Sequence, residues 1–342
     1  MPDAHRIYVA TEQDVVRLTL ADSTVAAAET VLPGVAPRCL VADPLNADRA
    51  YAGTFDDGLY ATDDGGATWR EPEHPPADDR VLALAVSLSH QAQGESVVYA
   101  GTEPSNLYRS EDGGRSWQLL PALRELPSEP QWSFPGRPWT HHVRTIALHP
   151  TDPDVLVVGI ELGGVMRSLD GGATWADHNP QAHSDAHEML THPCAPDRVL
   201  EAAGQGVAIS EDRGETWHEH EQGLDRHYAW AAAIDPDDPD LWYVSVSRSP
   251  FAAHGGGDGQ ARLMHSHGDG WSPVDSWGDG PQLRRMPYAL AALPEKPRSL
   301  LAALRGGSLL LTEDAGESWT RLEAELPDAI DVAAALAPAI RE

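Results

Sequence analysis

The sequence predicts an all-β protein, a seven-bladed β-propeller of four-stranded antiparallel blades in one domain over residues 1–342. Three observations predict it. Nearly the same eight residues recur six times, as Thr62 to Trp69, Ser110 to Trp117, Ser168 to Trp175, Ser210 to Trp217, Thr312 to Trp319 and a shortened Ser266 to Trp271. The six box tryptophans stand 42 to 58 residues apart, the length of a propeller blade. Each box also follows short apolar runs of strand length rather than helical periodicity.

In chain order, Arg6 to Val31 offers strands but no box. Six units follow, beginning near Arg38, Arg80, Arg144, His187, Trp230 and Tyr288. The unit at Arg144 shows the pattern most fully. Arg144 to Pro150 reads as a first strand, Val155 to Ile160 as a second and Gly164 to Ser168 as a third, and a fourth leaves the box through Trp175. The chain ends with Asp331-Val-Ala-Ala-Ala-Leu-Ala-Pro338, which has the form of a lone first strand. It is expected to complete the N-terminal blade and seal the ring, leaving no open edge. A six-bladed ring with separate tails is the alternative.

The box is a turn device. Its Asp accepts hydrogen bonds from the N–H groups of its own turn. Its glycines permit φ > 0, its Ser/Thr hydroxyls tie the hairpin, and its Trp packs between neighbouring elements. One carboxylate per turn is too few for a calcium loop.

These boxes resemble the Asp-box, or BNR, repeat of sialidase-like and YVTN-type propellers, bacterial or archaeal, and the resemblance covers the whole chain. That family includes sialidases, xyloglucanases, sortilin-type receptors and photosystem assembly factors, so the resemblance implies a fold and a choice of functions. Arg6-Ile-Tyr8 stands where sialidases carry Arg-Ile-Pro, and no Tyr/Glu pair of the sialidase kind is evident. In propellers of this family, the start of each first strand and the loop joining strands two and three open on one face. The boxes lie on the other.

Composition narrows the partners. A net charge of -29 argues against nucleic acid and anionic membrane. No apolar run approaches the roughly 20 residues of a membrane helix. Met1 to Gln13 has no basic segment followed by an apolar one, so a cytoplasmic protein is expected. Cys39 and Cys194 fit no zinc spacing and read as free thiols. Lys296 is the single lysine, against 23 arginines. No Gly-x-Gly-x-x-Gly, P-loop or Gly-x-Ser-x-Gly is present.

The candidate site therefore lies at blade starts. Arg38, Arg80 and Arg144 open three successive units and together would make an anion site. The competing reading pairs each with a carboxylate such as Asp79, Glu103 or Glu161. His142, His187 and Glu161 are the candidate catalytic residues, because imidazole and carboxylate together run acid–base chemistry near neutral pH. The same three could hold a divalent metal as a two-His, one-carboxylate set. Adjacent His141 and His142 point to opposite sides of an extended strand, so at most one faces the channel. Trp230, Tyr288, His227, His254 and Arg305 are candidate substrate-binding residues. Two long insertions, 119–140 and 247–262, are placed on the same face.

The expected function is an intracellular hydrolase or lyase of glycosidase type, acting on a small anionic, carbohydrate-derived substrate at the channel mouth. The alternative is a non-catalytic scaffold or assembly factor that grips a protein segment. Oligomeric state has no signature in the sequence.

Overall fold

The computed structural model describes residues 5–274, 283–324 and 326–336. Seven antiparallel sheets form a seven-bladed propeller. Blade 1 orders its strands Ala329–Leu336, His5–Thr11, Val15–Ala21 and Thr24–Leu32. The C-terminal strand is thus the innermost strand of the N-terminal blade, and seven blades replace the six-bladed alternative. Pro338 of the proposed closing segment lies outside the described residues.

Blades 2 to 7 begin with the inner strands Pro37–Ala42, Val81–Ala92, Val143–Leu148, Ala186–His192, Tyr228–Ile234 and Pro287–Ala292. In blades 2 and 4 the outer strand shrinks to a single bridged pair, Ala61 with Arg70 and Arg167 with Ala176. Second strands such as Ala50–Thr54, Leu156–Ile160 and Leu300–Leu304 are buried along their whole length, because a neighbouring blade covers each face. This explains their continuous apolar runs.

Glycine allows that close approach. A Cβ on Gly53 would stand 2.6 Å from Cys39 Sγ and from the Val81 carbonyl of blade 3. On Gly159 it would stand 2.7 Å from Thr145 and 2.8 Å from Ala186 of blade 5. The apolar cores accordingly run between blades. One joins Ile7, Leu18 and Val332 of blade 1 to Leu301, Leu309 and Leu311 of blade 7.

The box turns as its residues predict. Asp170 Oδ1 accepts from Thr174 N at 2.8 Å and Oδ2 from Thr174 Oγ1 at 2.6 Å, while Gly172 N donates to Ser168 Oγ at 2.9 Å. Trp175 Nε1 donates to the Gly172 carbonyl at 3.2 Å. Boxes also seal the seams between blades. Gly66 of blade 2 covers the ring of buried Tyr8 in blade 1, and Gly114 of blade 3 covers Tyr51 in blade 2. Since the box follows the third strand, it lies at the opposite end of the blade from the start of the first strand. The box carboxylates therefore face away from the channel mouth.

Candidate functional site at the channel mouth

A cavity of about 590 Å³ opens at the propeller axis. Its rim comes from the starts of inner strands and from the loops joining second to third strands. It divides into an arginine side and a histidine–carboxylate side.

On the arginine side, Phe55 sits among three guanidiniums. Arg38, Arg80 and Arg137 lie 5.5, 4.6 and 5.1 Å from its ring centroid. Arg80 is committed to Asp56 at 3.0 Å and to Glu103 at 2.9 Å. Arg137 makes a two-pronged contact with Glu103. Burial pushes the Glu103 carboxyl up, but hydrogen bonds and charge from Arg137 and Arg80 hold it below the usual range. Arg38 meets no carboxylate within 4 Å among the described residues and donates to its neighbour's carbonyl, Pro37 O, at 3.2 Å. Burial lowers its pKa.

On the other side, His142 Nε2 donates to Glu161 Oε2 at 2.9 Å. Its Nδ1 is buried without a hydrogen-bond partner among the described residues, 3.8 Å from Glu103 Oε2. His141 turns the other way, onto Ser105 Oγ at 2.8 Å, as neighbouring side chains do just ahead of the strand Val143–Leu148. Arg144 stands 3.7 Å from Glu161 and lies over Trp230, 4.7 Å from the ring centroid. Burial alone would raise the Glu161 pKa. The His142 hydrogen bond and the charges of His142, His187 and Arg144 outweigh it and bring the carboxyl down to about 2.

Behind Glu161, Asp185 and His187 complete a tight group. One oxygen of each carboxylate and one ring nitrogen lie within 4.8 Å of one another. His187 Nδ1 donates to the Ala229 carbonyl of blade 6 at 2.6 Å. Burial pushes its pKa down to about 4. Asp185 is pushed up to about 6, by burial first and by the Glu161 charge second. Deeper in the channel, burial raises Glu188 to about 8, partly offset by Arg144.

The 247–262 insertion brings His254 to the rim. Ser249 caps the short helix Pro250–His254 by accepting from Ala252 N. His254 then bridges two phenols, Tyr228 at 2.6 Å and Tyr288 at 2.7 Å. The 119–140 insertion contributes Phe134 and Arg137 to the cavity wall. Trp139 and Phe251 stand on these insertions, 79% and 90% exposed.

The structure thus gathers Arg38, Arg144, His142, Glu161, Trp230 and Tyr288 on one cavity. His187 and His254 pack immediately behind the wall, against Trp230. Three expected residues stand elsewhere. Arg80 is spent on Asp56 and Glu103 and does not join Arg38 and Arg144 in one anion site on the cavity wall. His227 is exposed and pairs with Glu221 at 3.1 Å, because the chain has not yet entered its inner strand. Arg305 fastens the 250–254 helix through the His254 and Gly255 carbonyls instead of facing the cavity. The expected metal set also changes: Asp185 joins Glu161 and His187, while His142 holds Glu161 from the side. The sequence reading missed Asp185, Phe55 and Arg137. Only Asp185 had a usable signal, since it precedes His187 by two residues and shares its side of an extended chain.

No protein-family model matches the chain, and no curated protein matches it in sequence. Solved structures do match its fold. A GH74 xyloglucanase from Xanthomonas campestris superposes with a TM-score of 0.61 at 19% identity, over 84% of this chain and 45% of that enzyme. The chain therefore spans less than half of that enzyme's length. YCF48 bound to D1 peptide gives 0.55 at 16% identity, over 94% of this chain and 85% of that one. YCF48 from Cyanidioschyzon merolae gives 0.55 at 16% identity, over 94% and 88%. At these identities the likeness establishes a shared propeller fold.

Proposed function

We propose that this protein is an enzyme of the Asp-box propeller type, a hydrolase or lyase for a small anionic, carbohydrate-derived substrate held at the channel mouth. One observation carries the reading. Glu161, Asp185, His187 and His142 form a connected ionisable group beside a cavity of about 590 Å³. Such groups with divergent proton affinities are what acid–base chemistry requires. Arg38, without a carboxylate partner among the described residues, supplies the charge for an acid group, and the Arg144–Trp230 stack supplies a flat wall for a sugar ring. The glycosidase fold-likeness supports this choice of substrate class.

The test is turnover of 4-methylumbelliferyl uronides and related acidic glycosides, followed by fluorophore release and by formation of unsaturated product. Glu161→Gln should lower kcat on the order of 100-fold or more with the fold intact. Arg38→Ala should raise KM with less effect on kcat. If no acidic glycoside is turned over and Glu161→Gln alters no ligand affinity, the reading is wrong.

A second reading rests on Trp139 and Phe251, exposed apolar side chains on the two insertions. They suit a protein segment lying across the face, and the match to a propeller bound to a peptide makes that partner class reasonable. Here Trp139→Ala and Phe251→Ala would abolish segment binding while Glu161→Gln would not.

A further inference from the structure

We infer that Glu161, Asp185 and His187 form a binding site for a divalent transition cation of the manganese or zinc class. The site shares Glu161 with the proposed enzyme. Its part in turnover rests on that reading, whereas its occupancy does not.

The His187 ring has one committed nitrogen and one open one. Its Nδ1 lies 2.6 Å from the Ala229 carbonyl, which can only accept, so Nδ1 carries the proton. Nε2 is therefore the nitrogen with a free lone pair. It has no hydrogen-bond partner among the described residues, and the side chain is 1% exposed. Nε2 points at Asp185 Oδ1, 3.6 Å away, which is itself buried and without a hydrogen-bond partner among the described residues. Glu161 offers a third lone-pair atom to the same space, all three within 4.8 Å. Nε2 and Asp185 Oδ1 face one another without a donor between them and repel, and a cation shared with Glu161 removes the conflict.

The spacing suits an ion. Metal–ligand bonds of about 2.0–2.2 Å leave donors around one ion roughly 3–3.5 Å apart. The nitrogen–oxygen separation of 3.6 Å is close to that range, and the remaining separation, 4.8 Å at most, closes by about 1.3–1.8 Å or less. The surroundings have the form that supports a ligated ion. An imidazole ligand donates its other N–H to a backbone carbonyl, and a carboxylate ligand is steadied by its own hydrogen bond. Here those are His187 to Ala229 and Glu161 to His142.

One imidazole and two carboxylates select manganese- or zinc-class ions over thiolate-seeking ones. Arg144, 3.7 Å from Glu161, is the opposing charge. With a divalent ion, the two carboxylates and Arg144 sum to one positive charge, which favours an anionic ligand at the mouth.

The experiment measures metal before activity. Elemental analysis of the purified protein is followed by chelation and by titration with Mn²⁺ and with Zn²⁺, using Mg²⁺ as a control. Co²⁺ absorption reports the coordination number of the bound ion. One ion per chain is expected, with affinity at least tenfold weaker in His187→Ala and in Asp185→Asn and a smaller loss in His142→Ala. Asp185→Asn is near-isosteric, so it decides the matter if His187→Ala fails to fold. Absence of one-to-one binding of both ions, or unchanged affinity in folded Asp185→Asn, overturns the site. Either result would mean that a shared proton, rather than a metal, satisfies the three acceptors. Metal binding without turnover would overturn the enzyme reading alone. Full turnover after chelation would remove the ion from the reaction while leaving binding to be judged on the titration.

Discussion

His254 sits between two phenol hydroxyls, one at each ring nitrogen, and the neutral ring donates to one phenol and accepts from the other. Burial, the largest influence, pushes its pKa down to about 4. A base with a lowered folded pKa takes up its proton more readily when unfolded. Stability is then complete above the unfolded value near 6.5 and falls as pH drops from there through about 4. His254→Gln keeps a donor and an acceptor but does not titrate. Its acid-side loss over that window should be smaller by on the order of 2 kcal/mol, allowing for partial solvent access. Thermal midpoints of both proteins from pH 7 to pH 4 check this, and parallel curves would refute it. The same residue shows the limits of the sequence. His254 was legible as a rim candidate because it lies in a long glycine-rich insertion, but its two tyrosine partners come from separate inner strands. Arg137 and Phe55 were less legible still. Each is one residue in a loop, and only closure of the ring brings them within 5.1 Å.

At the scale of the element, the box was readable because it repeats and has a local cause, whereas the packing demand on the second-strand glycine shows only once the blades are placed. Asp112 accepts from Arg115 N at 3.0 Å, Ser116 N at 2.9 Å and Ser116 Oγ at 2.5 Å. Asp112→Ala leaves those donors to water and should cost about 1–2 kcal/mol in chemical denaturation. Because the box lies on the far face, ligand affinity and metal affinity should not change. Gly159→Ala acts differently. Its new methyl meets Thr145 and Ala186 from two other strands, so the blades must separate slightly, at a cost of about 1–3 kcal/mol. Gly256→Ala, with open space around it, is the control and should be near neutral. Equal effects at the two glycines would show that seam packing is not what keeps Gly159. The repeat left the outer strands of blades 2 and 4 unforeseen as single bridges. A box fixes the turn between third and fourth strands but not how far the fourth continues.

For the whole molecule, the closing strand is the element on which the ring depends. Ala329–Leu336 pairs along the full length of His5–Thr11, and Asp331 Oδ2 accepts from Leu40 N of blade 2 at 2.7 Å. Ala329, Val332 and Ala333 are buried there. The strand thus links the first blade to its own end and to the next blade. Without it, His5–Thr11 becomes an unpaired inner edge lining an open channel, which is both unstable and prone to pairing with other chains. The cavity would lose Ile330, Asp331 and Val332 from its wall. Ending the chain after Asp328 should therefore lower the thermal midpoint by roughly 10 °C or more, as loss of several kcal/mol does in a chain of this size. It should also produce concentration-dependent association. A synthetic peptide of residues 329–342 added in trans should restore both, because the edge it pairs with is already formed by the blade behind it. Such rescue would separate closure from a general loss of core. A truncated chain that unfolds at the same temperature and stays monomeric would mean that the inter-blade seams, and not the closing strand, hold the ring.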